Sequence, residues 1–116
     1  MKKYTILLFP LLFTTLVLGH QLIKTSLKFT VRDTLGNLVE GASVRLYATL
    51  EDYQKEINPV NEEAITNAKG EVIIRELESK AYFVWVEKEE MNNMGLANQT
   101  DTLQAYRLNK LTIIIE

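Results

Sequence analysis

The side chains able to do covalent chemistry in this chain are few. It has no cysteine and a single histidine, His20, so a Ser-His or Cys-His nucleophile pair has nothing to be built from, and neither has a thiolate or multi-histidine zinc site. Disulfides are excluded on the same count. Adjacent acids at Glu62-Glu63 and Glu89-Glu90 lie in polar stretches, where such pairs form a solvated face rather than a general acid and base. No D-x-D-x-D-G run is present to hold calcium. Lys28 in the first strand and Asn109 just before the last are the pair to weigh for an isopeptide crosslink. Lys28, however, falls on the polar phase of its segment next to Phe29, which denies it the desolvation that would turn the ammonium into a nucleophile. The residues therefore predict no catalytic group, no metal and no cofactor.

The chemistry that remains is recognition. In "AYFVWVE" Tyr82, Val84 and Val86 occupy one phase and Phe83 and Trp85 the other, so both faces of this segment are apolar. Phe83 and Trp85 are either covered by a neighbouring segment or form a platform suited to a protein partner or a sugar ring. Next comes "MNNMGLANQTDTLQAYRLN", Met91 to Asn109, far longer than an ordinary strand connection. Its Asn92-Asn93-Met94-Gly95 reads as a turn, and Met91, Met94, Leu96, Leu103 and Tyr106 give it apolar groups to pack. The pattern predicts a cover lying over Phe83 and Trp85, whose polar rim, Asn92, Asn93, Asn98, Thr100 and Asp101, is the recognition surface.

These groups must be positioned by strands, because the apolar period is two rather than 3.6. Leu27, Phe29 and Val31 alternate with Lys28, Thr30 and Arg32, and Ala42, Val44, Leu46 and Ala48 alternate with Ser43, Arg45 and Tyr47. Turn chemistry at Asp33 to Asn37 and at Glu40-Gly41 separates the two. Leu50, Tyr53 and Ile57 have helical spacing, with Thr49 and Asp52 placed to cap and Pro59 to terminate, which predicts at most two turns. Glu62 to Thr66 and Glu71 to Leu77 read as a hairpin closed by Asn67-Ala68-Lys69-Gly70. "AYFVWVEK" and "LTIIIE" complete six to seven short strands with one helical turn. That inventory describes an all-β antiparallel sandwich.

The N-terminus reads as an address rather than as structure. Lys2 and Lys3 precede an uncharged run, Ile6 to Leu18, too short to span a bilayer, and Val17 and Gly19 suit a signal-peptidase cut. Residues 1–19 are thus expected to be a signal peptide and residues 20–116 the domain. "LVLGH" resembles a bacterial lipobox with His20 in place of the lipid-bearing cysteine, so no stable membrane anchor is expected. Removing Lys2 and Lys3 leaves eleven basic against fifteen acidic residues, about −4 in all, which disfavours a nucleic-acid partner. A secreted or periplasmic protein follows.

The order "LKFTVRDTLGNLVEGASVRLY", "ITNAKGEVIIREL", "AYFVWVEKE" resembles the carboxypeptidase regulatory-like domains, transthyretin-like sandwiches of exported bacterial proteins. Asp33, Gly36, Val39, Gly41, Ala42 and Val44 match the first part of the pattern, and Gly70, Leu77 and Tyr82 the second. Leu38 stands where proline is usual and Asn67 where aspartate is. The resemblance implies an Ig-like or transthyretin-like fold and a non-catalytic accessory or binding role in the cell envelope. The partner would be another envelope protein or a glycan; the alternative is a purely structural subunit docking by a strand edge. Asp33-Thr34-Leu35 and Asp101-Thr102-Leu103 also look like the Asp-Ser/Thr-aliphatic sequence that some Gram-negative bacteria O-glycosylate, which marks Thr34 and Thr102 as candidate modification sites. Asn98-Gln99-Thr100 is formally an N-glycosylation sequon, relevant only in a eukaryotic secretory pathway.

Overall fold

Alternation of apolar and polar residues builds two sheets. In a computed structural model, residues 24–116 are described; the expected signal peptide and His20 lie outside them. Among the described residues the strands are β1 (Ser26–Asp33), β2 (Ser43–Tyr47), β3 (Ala64–Ile65), β4 (Glu71–Ile74), β5 (Phe83–Lys88), β6 (Met91–Asn92) and β7 (Leu108–Ile115), with one helix, α1 (Leu50–Lys55), after β2. One sheet has the order β4-β1-β7 and the other β3-β2-β5-β6. Every pairing is antiparallel except β1 with β7, which run parallel over eight residue pairs from Ser26↔Leu108 to Asp33↔Ile115. The fold is the all-β sandwich that the period-two pattern predicts.

The core is what that period places inward. Leu27, Phe29 and Val31 from β1, Val44 and Leu46 from β2, Val84 and Val86 from β5, and Ile113 and Ile115 from β7 are all essentially inaccessible. The register also disposes of the isopeptide reading. Asn109 stands opposite Leu27, whereas Lys28 stands opposite Lys110, and Lys28 Nζ forms an ion pair with Glu71 at 2.7 Å.

One expectation is corrected. β3 and β4 do not form a hairpin, because β3 pairs with β2 while β4 pairs with β1. Asn67 to Gly70 is instead the corner at which the chain passes from one sheet to the other. The Asn67 side-chain oxygen accepts from Lys69 and Glu71 N–H at 2.9 and 3.1 Å. Gly70 has φ +69°, and its backbone passes so close to β1 that an added Cβ would lie 2.8 Å from Val31 O and 3.1 Å from Val39 N. Alternating turn residues look the same in a hairpin and in a corner; only the sandwich decides between them.

The helix is held by capping rather than by burial. Thr49 caps it, accepting from Asp52 N–H at 3.1 Å, Glu51 and Lys55 pair across one turn, and Glu56 ends it in the left-handed conformation. It therefore stops before Pro59. None of its residues is buried, and six residues are too few to be helical unaided. Leu50 and Ile57, read as its apolar stripe, are half exposed; Tyr53 alone seats it.

Substitutions at two glycines test the corner. Gly70→Ala meets both a positive φ and a backbone clash and should cost more than about 2 kcal/mol, whereas Gly36→Ala, with φ +86° and nothing within 4 Å, should cost only about 1 kcal/mol. Paired urea unfolding curves measure the difference.

Candidate functional site

The outer face of the β2–β5 pair carries the aromatic residues. Register puts Tyr47 opposite Phe83 and Arg45 opposite Trp85, all pointing away from the sandwich core. Tyr53 of α1 descends onto them, its ring centre 5.8 Å from both Tyr47 and Phe83 and 6.5 Å from Trp85. Edge and tilted contacts of this kind add to plain burial. The helix closes over the Tyr47–Phe83 end and leaves Trp85 half-buried at the wall of an open cleft of ≈470 Å³, between Tyr53 and Glu56 on one side and Met94 and Asn98 on the other.

Hydrogen-bonding capacity is left unspent on this face. Among the described residues, the buried side-chain polar atoms without a partner are Arg45 Nε, Tyr47 Oη and Trp85 Nε1. All three belong to residues of one outer sheet face. Arg45 is otherwise engaged, donating through Nη2 to Glu87 Oε1 at 2.7 Å. Buried polar atoms are ordinarily paired with protein or water. Of the three residues only Trp85 lines the cleft; Arg45 and Tyr47 lie on the same face outside it, Tyr47 fully buried where the helix closes over it.

The long 91–109 segment sits differently from the expected cover. Its chief placement is beside β5, not over the aromatic face, which the Tyr53 ring covers. Asn93 is fully buried: its Oδ1 accepts from Val86 N–H at 3.0 Å, and its Nδ2 donates to Val84 O at 2.9 Å and Ala97 O at 3.2 Å. Farther along, Val84 N–H donates to Asn98 O at 2.8 Å, Thr100 N–H donates to Tyr82 O at 2.9 Å, and Thr100 Oγ1 accepts from Tyr82 N–H at 2.9 Å. The segment thus completes the edge of β5 with backbone and side chain by turns.

The amides and hydroxyls of the expected rim are therefore divided. Asn93 and Thr100, both buried, are spent inside the protein and are not available to a partner. Asn92 holds the Met94 turn, accepting from its N–H at 2.9 Å. Asn98 faces the cleft, with Nδ2 3.4 Å from the Tyr53 hydroxyl, and Asp101 is exposed. Of these residues Asn98 joins Trp85 at one site, Phe83 lies under the Tyr53 ring, and Asp101 sits apart from the cleft. Tyr53 and Tyr47 are absent from the sequence-derived set. Tyr53 is visible in the sequence as a helical-phase aromatic near an aromatic strand, while Tyr47 occupies the polar phase of β2 and carries no such signal.

The candidate glycosylation sites also differ in their surroundings. Thr34 stands on an exposed turn, where Asp33 Oδ1 accepts from Leu35 and Asn37 N–H at 3.0 and 2.9 Å; the Asn37 amide first among these bonds holds the Asp33 carboxyl below its usual pKa. Leu35 beside it is 85% exposed. Thr102 is exposed too, but Leu103 is buried, with its N–H donating to Lys80 O at 3.1 Å. The acid pairs Glu62-Glu63 and Glu89-Glu90 are all exposed. Among the described residues, no group of three or more His, Cys, Asp or Glu side chains gathers to hold a metal, and no helix is long and apolar enough to cross a membrane.

No protein-family model matches the chain, and no curated protein matches it. Solved structures do. The major pilin subunit of Bacillus cereus is similar over 79% of this chain at 13% identity, with a TM-score of 0.55; the chain spans only 28% of that subunit's length. Chlorocatechol 1,2-dioxygenase from Pseudomonas putida is 13% identical over 80% of this chain and 61% of its own, with a TM-score of 0.48. At such identities the likeness to the pilin is one of fold, a β-sandwich.

Two asparagines separate support from recognition. Asn93→Ala strips partners from buried Val84 and Val86 backbone groups and should destabilise by roughly 2–3 kcal/mol, while Asn98→Ala at the cleft should stay within about 0.5 kcal/mol of the parent. Thermal or denaturant melts of the two variants read this directly.

Proposed function

We propose that the chain is a non-catalytic binding module of the bacterial cell envelope, exported by its N-terminal segment. It recognises an envelope protein or a glycan through the aromatic cleft. The observation that carries this reading is the open cleft that brings half-buried Trp85, Tyr53, exposed Met94 and cleft-facing Asn98 together on one outer sheet face. Apolar ring faces and a few convergent polar groups are what a recognition site combines. The carboxypeptidase regulatory-like resemblance supports the same class of role, and the fold shared with a major pilin subunit is in keeping with it.

Recognition would be carried by Tyr53, Trp85, Met94 and Asn98, with Phe83 as the floor that holds Tyr53. Asn92 and Asp101 lie outside this set, and Asn93 and Thr100 serve it by fixing the β5 edge. Thr34, on its exposed turn, is the better candidate of the two for O-glycosylation.

The chain has one tryptophan, so its fluorescence reports the cleft alone. Capture from an envelope extract should yield a partner that shifts Trp85 emission on titration, and the Met94→Ala/Asn98→Ala double variant should weaken that binding at least tenfold with an unchanged melting temperature. A partner held equally by the double variant, with no change in Trp85 emission, would remove the cleft from the function.

A further inference from the structure

The long strand β7 leaves one edge of its sheet open. Ser26 N–H donates to Arg107 O at 3.0 Å, which directs the backbone of the odd-numbered residues of β7 towards β1. Successive residues of a strand direct their N–H and C=O groups to opposite sides, so the even-numbered ones face away. Glu116 bears this out by exchanging both backbone bonds with Asn92, each at 3.0 Å. That exchange plugs the end of the edge. Between it and the bend at Arg107, Leu108, Lys110, Thr112 and Ile114 direct their N–H and C=O groups outward, and among the described residues no backbone partner meets them. At the Leu108 end an open groove of ≈410 Å³ runs between Arg107–Leu111 and the 100–104 segment.

An edge of this length is a template for another strand. β3 and β6 have two residues each and β4 four, so β7 is the longest edge strand. It carries one charge, Lys110, and the Glu71 carboxylate shares that side of the sheet with it and with Lys28.

We propose that β7 pairs antiparallel with β7 of a second copy of this chain across a two-fold axis at Leu111. In that register Leu108 stands opposite Ile114 of the second copy and Lys110 opposite Thr112. All four open residues of each copy then exchange both backbone bonds, and none is left over. Apolar Leu108 meets apolar Ile114, no two like charges stand directly opposite, and the pairing stops where Asn92 already occupies Glu116. The same patch serves both partners, as a closed two-fold contact requires. The two three-stranded sheets become one of six strands, β4-β1-β7-β7-β1-β4. The aromatic cleft lies on the other sheet and takes no part.

The chain has no cysteine, so an introduced one is the only thiol. Across the axis the two Leu111 Cα atoms form a non-hydrogen-bonded pair ~4.5 Å apart, within disulfide reach. The two Thr112 residues are diagonal neighbours at about 7–8 Å, beyond it. Sedimentation of the purified parent should show a concentration-dependent monomer–dimer equilibrium. Leu111→Cys should oxidise to a covalent dimer and Thr112→Cys should not. Thr112→Pro, which removes an outward N–H and no bond to β1, should sediment as monomer while still melting cooperatively. A parent that stays monomeric up to about 1 mM would overturn the pairing and leave the edge to an extended segment of another protein. A covalent dimer from Thr112→Cys and none from Leu111→Cys would overturn the register. Because Trp85 lies on the other sheet, loss of dimer with binding at the cleft intact, or the reverse, tells the failure of one reading from that of the other.

Discussion

Two side-chain amides hold the sheet that carries the cleft. On one side of the β2–β5 pair, Asn93 bonds Val86 N–H and Val84 O. On the other, Asn61 Oδ1 accepts from Leu46 N–H at 2.8 Å and its Nδ2 donates to Val44 O at 3.1 Å. Each amide presents one acceptor and two donors, so it can occupy the place of a neighbouring strand's peptide unit and still bond its own loop: Asn93 to Ala97 O and Asn61 to Glu62 O. A buried backbone group without a partner is costly. These two residues let β3 and β6 be only two residues long without exposing the ladder of the strands they flank.

The rest of that face follows from this arrangement. With β5 sealed by the 91–100 segment, Phe83 and Trp85 can point outward on a rigid strand, and α1 needs only Tyr53 to dock. Thr66 and Thr100 repeat the device with hydroxyls, bonding Ala42 and Tyr82 N–H at 2.9 Å each. The polar residues between the apolar runs are thus largely structural, and the cleft is lined by the few that are left over. On the opposite sheet, among the described residues, no such plug lies along β7 before Glu116, which leaves that edge open to a further strand.

Strand positions and the core were legible in the sequence because a period of two allows one inward set: Leu27, Phe29, Val31, Val44, Leu46, Val84 and Val86 all lie where alternation puts them. The sandwich as a class followed from the number and spacing of strands. Which strand pairs with which was not legible, since Asn67 to Gly70 offers the same turn chemistry to a hairpin and to a corner, and since the parallel β1–β7 pairing joins the two ends of the domain. The cleft was half legible. Phe83 and Trp85 stood out by phase, but the polar loop residues could not be sorted into buried and exposed, because an asparagine that replaces a strand partner and one that meets solvent look alike in a row of letters. Tyr47, on the polar phase of β2, was hidden for the converse reason: α1 makes an inside out of that face.

Residue-resolved amide hydrogen exchange in the native protein tests the claim that side-chain amides complete this sheet. Leu46 and Val86 N–H are held by Asn61 and Asn93 side chains rather than by a strand, and the account predicts that both exchange only with global unfolding, as slowly as the core amides of β1. Exchange at Leu46 and Val86 as fast as in the exposed Glu89–Glu90 turn would contradict it.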